Sequence, residues 1–386
     1  MREIRELLNV CKEFFNINNI KEIKELTTGN INETYVIVFD DYKYILQLLN
    51  SHVYYSPIGV TNNTRLIVDH IRKKCIYEGK NPHRSVLNFV KTRFKQDLAI
   101  VNNEYWRCSE FIDNAYSLDR DISDTEFYEI GKAIGNFQYL LSDFTPNVLD
   151  DSIRHFHDTV YRFERFKEVI ELDKYNRVKE CLPEICFIFK RSKKFNIITD
   201  KLEKGIIPKR VTHNDTKASN IMLDKETKKY LCLIDLDTVM QGSLLYDYGD
   251  ALRYGASLCS EEETDISKIN IDLNLFRAFT RGFLEELMPL NALENNKLAI
   301  TSEEIKLLYE GFWIITIELG MRFLHDYLDG DKYFRKDEKR KKHNLERARN
   351  QLQLVLKLEE QEKEMKKIIK EILIELNYSN KNSDKN

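Results

Sequence analysis

Paired cysteines, long apolar runs and an excess of one charge are what this sequence has least of. Its seven cysteines are scattered, odd in number and free of any C-x-x-C spacing. Neither a disulfide framework nor a zinc site is indicated, and a reducing compartment fits. Phe312–Ile317 is among the longest apolar runs, far short of the ~20 residues that span a bilayer. The opening Met1-Arg2-Glu3-Ile4-Arg5-Glu6 lacks the apolar core of a signal peptide. A cytoplasmic location with no membrane partner is expected. Lys and Arg number 60 against 63 Asp and Glu, a net charge of -3. That balance gives no reason to expect nucleic acid as a partner. No internal repeat is visible.

What is present is 386 residues, 42% of them hydrophobic, enough for two or three domains or lobes with a substantial core. Residues 1–26 read as a short helix, with Ile4, Leu7, Leu8, Cys11 and Phe15 at helical spacing. A turn at Thr27–Asn32 leads into strand-like Tyr35–Phe39, an Asp40-Asp41 turn, and a second strand beginning at Tyr44. Residues 86–94, 98–101 and 104–112 read as further strands. After Asp113-Asn114 the pattern turns helical. Ser123 to Glu126 reads as an N-cap with acids in the first turn. Residues 161–201, 273–287, 303–328 and 345–376 read as helices.

The stretch that organises the chain runs from Val211 to Asp250. It contains His213-x-Asp215, Asn220 five residues later, and Asp235 at the exit of an apolar run. Ile221–Leu223 and Tyr230–Ile234, separated by polar Asp224–Lys229, predict a hairpin. A base Asp, an Asn ligand to magnesium five residues on, and a second metal-binding Asp after a hairpin is the order of the protein-kinase catalytic loop. Phosphoryl transfer needs an acceptor oxygen held in line and cations on the phosphates. One acid to face the acceptor and two oxygen ligands for Mg2+ meet that need. Taken singly, Asp215 and Asp235 would be ordinary turn acids. A two-metal hydrolase is the rival for the whole pattern, but it would call for more His or Glu ligands nearby.

His213-Asn214-Asp215-Thr216-Lys217 with Asn220, then Ile234–Met240, then Tyr246-Asp247-Tyr248-Gly249-Asp250, resemble the aminoglycoside phosphotransferase and choline kinase superfamily. Tyr44-Ile45-Leu46-Gln47 with Asn50, His155–Thr159, Gly320–Leu324, Gly330-Asp331 with Tyr333-Phe334, and His343-Asn344-Leu345 resemble its N-acetylhexosamine 1-kinases. The resemblance runs from about Gly29 to about Leu356. It implies a two-lobed α+β fold, protein-kinase-like, with a small antiparallel sheet lobe (residues 1–112) and a larger helical lobe (113–386). It also implies ATP and Mg2+ as cofactors and the anomeric hydroxyl of a sugar as acceptor.

The roles follow in the same terms. Asp215 is the expected base, and Asn220 and Asp235 are the metal ligands. Asp247 braces the catalytic loop, while Asp237 either assists the metal or makes structural hydrogen bonds. Gly29, Asn32, Gln47, Glu110 and Ile112 are the expected nucleotide contacts. The family carries more glycine around Gly29, and often a His where this chain has Asn30, so the phosphate contact is expected to be looser. Gln47 stands where a protein kinase has its strand lysine. The helix-like segment 60–74 has no Glu, so both halves of that ion pair are missing together. The resemblance implies that Arg322 and Tyr333 bind the sugar, with Arg253 a neighbour. From the residues alone, Arg322 would instead pair with Asp326 one turn on. His155 and His157 are expected to pack or hydrogen-bond locally. Two other readings remain: a kinase for another acceptor, such as choline or an aminoglycoside, and a nucleotide- or sugar-binding pseudokinase.

Overall fold

The computed structural model of the chain describes residues 2–26, 32–51, 53–54, 56–289 and 298–378. It divides into two compact units, each gathered from several stretches of sequence.

The first unit comprises Met1–Ser117, Asp143–Arg154 and Ile221–Gln241. Helix α1 (Ile4–Phe14) buries Leu7, Val10, Cys11 and Phe14. They pack on Tyr35, Ile37, Leu46, Trp106 and Cys108 from the sheet. The sheet contains β1 (Glu22–Leu26), β2 (Glu33–Val38), β3 (Lys43–Leu48), β4 (Phe89–Val90), β5 (Ala99–Val101) and β6 (Glu104–Glu110). Its order is β1-β2-β3-β6-β4, with β5 also on β6, and every pairing is antiparallel.

The helix expected over residues 1–26 therefore ends at Phe14, and Glu22–Leu26 is an edge strand. The Asn16 side chain caps a single 3-10 turn that redirects the chain, and β2 then supplies the hydrogen bonds that fix β1. Glu22–Leu26 is mostly exposed and lacks the apolar, β-branched run that marks a strand, so its own residues do not reveal it. The strand expected over 86–94 shrinks to Phe89–Val90, because residues 92–96 close a turn with Lys95 at φ 62°.

Helix α2 (Pro57–Tyr77) starts at Ser56, whose hydroxyl accepts from Gly59 N–H, with Pro57 in the first turn. The expected hairpin is present as β8 (Ile221–Asp224) and β9 (Tyr230–Leu233), with β7 (Ala115–Tyr116) on its outer side. Asp224 shapes its turn by accepting from Glu226 N–H at 3.0 Å and Thr227 N–H at 2.7 Å.

The second unit comprises Leu118–Ser142, His155–Asn220 and Gly242–Asn386, and it is helical. Its long elements are α3 (Asp124–Leu140), α4 (Thr159–Leu172), α5 (Leu182–Arg191), α6 (Leu244–Gly255), α7 (Leu273–Leu287), α8 (Leu308–Leu328) and α9 (His343–Glu375). Ser123 and Glu126 form a reciprocal capping box at the start of α3. The helical stretch expected over 161–201 is interrupted. Asp173 ends α4 in a left-handed conformation, and α5 restarts with Pro183 in its first turn.

Phe276, Phe279, Phe283, Phe312 and Phe323 fill the core of this unit. Helix α6 lies against α8 at very short range. A Cβ on Gly249 would stand 2.3 Å from the Gly311 carbonyl oxygen, so only glycine permits the approach. That contact seats the helix that carries Asp247 and Asp250.

Candidate active site

In the helical unit the segment 213–220 follows a short extended stretch, Arg210–Thr212. It has little regular structure of its own, and α6 holds it from below. Asp247, fully buried, accepts from His213 N–H at 2.9 Å, Asn214 N–H at 2.8 Å and the Gln138 amide at 2.7 Å. One turn on, Asp250 accepts from Thr216 N–H at 3.0 Å, and the Thr216 hydroxyl donates to the Asp247 carbonyl at 2.7 Å. Burial pushes the Asp247 carboxyl above its ordinary value, while His213 and the donors around it pull the other way. The bracing role expected of Asp247 is present in these bonds.

The loop turns through Asn214, at φ 66°, and presents Asp215 half-buried. Asn220 Nδ2 donates to Asp215 Oδ2 and to the Asp215 carbonyl, each at 2.9 Å. Both bonds use the amide nitrogen, so Oδ1 is the Asn220 side-chain atom left to act as a ligand. Lys217 Nζ stands 3.0 Å from Asp215 Oδ2. Sequence reasoning passed over Lys217, although its place two residues after the acid was a usable signal. Its ammonium is a donor that phosphate oxygens can accept.

Arg253 is almost wholly taken up within this unit. Its guanidinium meets Asp250 at 2.9 Å and Glu261 at 3.3 Å, and Asp215 lies within its electrostatic reach. Its contacts support the catalytic loop through Asp250.

Arg322 and Tyr333, far apart in a helix and a loop, come together. Arg322 Nη2 is 3.4 Å from the Tyr333 hydroxyl. Its guanidinium also lies 5.0 Å from the Phe156 ring centre and 5.5 Å from that of Phe334. The alternative partner, Asp326, is engaged elsewhere: it accepts from the backbone N–H groups of Lys332, Tyr333 and Phe334 and from the Asn344 amide. Asp326 thus folds the loop that carries Tyr333. Among the described residues neither Arg322 nor Arg162 pairs directly with a carboxylate. Arg162 donates to the Phe156 carbonyl at 2.9 Å. Burial and the neighbouring Arg322 charge lower Arg162 to about 10. Nearby Glu318, buried, accepts from His157 Nδ1 at 2.9 Å and the Thr159 hydroxyl at 2.5 Å. Burial alone would raise its carboxyl, but His157 first, then Arg162 and Arg322, hold it below the ordinary value.

The remaining expected residues fall in the sheet unit. Asp235 follows β9 at φ 58° and ψ 57°, a left-handed conformation uncommon outside glycine. Two residues on, Asp237 pairs with the guanidinium of Arg107 on β6, and both side chains are buried. The second Asp237 oxygen accepts from Asn32 Nδ2 at 2.6 Å. Asp237 is therefore engaged by Arg107 and Asn32 within the protein. Asn32 closes its other end by accepting from Asn50 N–H at 3.1 Å, so its side chain is committed within the protein.

Gln47 faces Arg107 across β3 and β6, and its Oε1 accepts from Arg107 Nε at 3.1 Å and Nη2 at 2.9 Å. Glu110 holds His83 at 2.8 Å through its side chain, and its N–H donates to the Asn88 carbonyl. Just past β6, the Ile112 side chain is buried, while its N–H makes no hydrogen bond among the described residues. Gly29 lies outside the described residues. Arg107 was missed by sequence reasoning, because an arginine within a strand gives no sign of which carboxylate it meets.

Taken one by one, Asn220 offers an amide oxygen and Asp235 a carboxylate. Among the described residues no group of three or more His, Cys, Asp or Glu could hold a metal by itself. Mg2+ usually takes one or two protein oxygens and fills the rest of its octahedron with phosphate oxygens and water. An amide oxygen and a carboxylate are ligands of that kind.

Comparison with known proteins bears on the fold and on the family matched by part of the chain. Residues 113–284 match the model of the phosphotransferase enzyme family, a span that includes Asp215, Asn220, Asp235 and Asp247. A spectinomycin phosphotransferase solved with ADP and spectinomycin is similar over 93% of this chain and 99% of its own, at 13% identity and a TM-score of 0.56. A microcompartment-associated aminopropanol kinase is similar over 94% and 99%, at 11% identity and a TM-score of 0.56. An ethanolamine kinase of Plasmodium vivax is similar over 91% and 86%, at 14% identity and a TM-score of 0.53. The chain has the α+β, protein-kinase-like fold of the aminoglycoside phosphotransferases, an antiparallel sheet unit and a larger helical unit, and its residues 113–284 match the phosphotransferase enzyme family.

Proposed function

We propose that this protein transfers the γ-phosphoryl group of ATP to the anomeric hydroxyl of an N-acetylhexosamine, N-acetylglucosamine or N-acetylgalactosamine, giving the sugar 1-phosphate. The observation that carries the acceptor reading is the surround of Arg322. The Arg322 guanidinium stands beside aromatic rings, the Arg162 charge acts on it, and the nearby carboxylate of Glu318 is already occupied by His157 and Thr159. Such a surround repels amines. It suits an oxygen-rich acceptor whose hydroxyl and acetamide oxygens take N–H donors while a ring face lies on Tyr333.

The proposed chemistry uses few groups. The acceptor hydroxyl oxygen attacks the γ-phosphorus, the bond to the β,γ-bridging oxygen breaks, and ADP leaves. Asp215 Oδ accepts the hydroxyl proton, with Asn220 and Lys217 orienting its carboxylate. Asn220 Oδ1 and the Asp235 carboxylate are the proposed Mg2+ ligands. When bound, that ion neutralises phosphate charge as the leaving group departs. Asn32, Gln47, Glu110 and Ile112 belong to the proposed nucleotide side. Asn32 and Gln47 act there through the protein's own hydrogen bonds, and Ile112 through its backbone N–H. No described helix is long and apolar enough to cross a membrane, and a cytoplasmic location is part of the proposal.

A second reading, a kinase for another small hydroxyl compound, is favoured by the names of the similar structures, which include kinases of ethanolamine and aminopropanol. ATP consumption with a panel of N-acetylhexosamines, plain sugars, choline and kanamycin separates the two, with phosphorus NMR to locate the new ester. Turnover with an N-acetylhexosamine and an anomeric phosphate is expected. Turnover with choline or kanamycin alone would select the second reading. ATP binding without transfer to any acceptor would indicate a pseudokinase.

A further inference from the structure

We infer that Arg107 is a positioning residue for the turn that carries Asp235, and that the buried cation of this sheet stands on β6, across from a neutral residue on β3. The register of the sheet sets Arg107 directly across from Gln47. Two of its N–H groups converge on Gln47 Oε1, and Gln47 Nε2 donates in turn to the Thr34 hydroxyl at 3.3 Å. A lysine at position 47 would set a second cation against the buried Arg107, which accounts physically for the neutral amide.

The counter-ion does not come from α2. It comes from Asp237, two residues after Asp235, and both members of the pair are at most 3% exposed. Asp237 also takes the Asn32 amide, which ties the same turn to the start of β2. Helix α2 adds two backbone restraints: the Thr64 hydroxyl donates to the Leu236 carbonyl at 3.2 Å, and the Asn63 amide to the Val239 carbonyl at 3.0 Å. Asp235 therefore sits in an uncommon left-handed conformation immediately before a segment pinned by a buried ion pair and three hydrogen bonds. Unfavourable backbone geometry persists where the surroundings over-determine it. Arg107 reaches this turn from a strand that carries no proposed metal ligand, so it acts through Asp237 and not on the metal itself.

The inference rests on the kinase reading in one respect, that Asp235 is a ligand to Mg2+. The test is calorimetric titration of ATP into the full chain across a series of magnesium concentrations. Four proteins are compared: wild type, Arg107→Met, Arg107→Lys, and the double variant Arg107→Met with Asp237→Asn. The double variant leaves no buried charge alone and guards against a misfolded single mutant, with circular dichroism as the check.

Arg107→Met and the double variant should raise the magnesium concentration needed for half-maximal ATP binding about tenfold, with Arg107→Lys recovering part of the loss. ATP affinity without magnesium should fall by a smaller factor, because Gln47 loses its two bonds from Arg107, and a general structural defect would not concentrate the loss in the magnesium dependence. Folded variants with the wild-type magnesium dependence would overturn the inference and leave the kinase reading intact. Wild-type protein that binds no ATP at any magnesium concentration would overturn both.

Discussion

Two turns of this molecule carry the acids of the proposed chemistry, and they are held by opposite electrostatic means. The Asp215 loop rests on Asp247, a buried carboxylate met by two backbone N–H groups and the Gln138 amide. The Asp235 turn rests on Asp237, a buried carboxylate met by the Arg107 cation and the Asn32 amide. In the first case aligned donors hold the charge, and burial still leaves the carboxyl above its ordinary value. In the second a full countercharge holds it. The contrast follows from where the braces come from. Asp247 stands on a helix 33 and 34 positions beyond the two loop N–H groups it accepts, so the loop itself supplies the donors. Asp237 must tie its turn to a separate strand, and a long arginine can span that gap.

The comparison can be broken first at the acids themselves. Asp215→Asn keeps the shape and the Asn220 contact but cannot take a proton. General-base catalysis contributes roughly 10²–10⁴-fold, so turnover should fall on that scale while ATP still binds. Steady-state kinetics with ATP titration checks this, and near-full activity would remove Asp215 from its role.

The next largest effects concern the two proposed ligands. Asn220→Ala and Asp235→Ala should each lower activity on the order of tenfold to a hundredfold, the scale seen when partners of a metal site are lost. Extra magnesium should partly restore Asn220→Ala, because Asp235 and its brace remain. Equal magnesium curves for wild type and both variants would take the metal away from these residues.

Arg322→Ala tests the acceptor side. Losing a hydrogen bond to a charged group costs about 1.5–3 kcal/mol, so the KM for sugar should rise on the order of tenfold to a hundredfold with little change in that for ATP. Arg322 also opposes the charge on Arg162. Its removal should therefore leave the melting temperature unchanged or slightly higher, whereas a purely structural arginine would lower it.

The smallest effect sharpens the picture of the hairpin before Asp235. The Thr227 backbone N–H above all, with Arg84 and Glu226 N–H, holds the Asp224 carboxyl at about 2. A carboxyl lower in the folded chain than in the unfolded one adds stability above about pH 4, and that stability is lost as pH falls toward 2. Asp224→Asn should flatten this part of the pH–stability curve. Denaturant melts between pH 2 and 5 test it, and an unchanged slope would show that the Asp224 bonds do not matter to folding.

The legible parts of the sequence were those whose causes are local. The N-cap at Ser123 with acids in the first turn was readable because cap and acids lie within three residues. Leu273–Leu287 kept its expected bounds because its apolar stripe repeats at helical spacing. The hairpin 221–233 and the Asp215–Asn220 spacing belong to the same class, since they depend on neighbours a few residues away. The resemblance carried the reading one step further, to Arg322 and Tyr333, which the structure brings within 3.4 Å.

By itself, then, the sequence determined the order of the acids proposed for catalysis, most of the helices and the neutrality of position 47. Only the tertiary structure decided the rest. It made Glu22–Leu26 a strand, because the bonds that fix an edge strand belong to its partner. It gave Arg322 a tyrosine instead of Asp326, because Asp326 is spent on the backbone of the next loop. It also paired Arg107 with Asp237, 130 positions away, because a buried charge must find an opposite one wherever the fold brings it near.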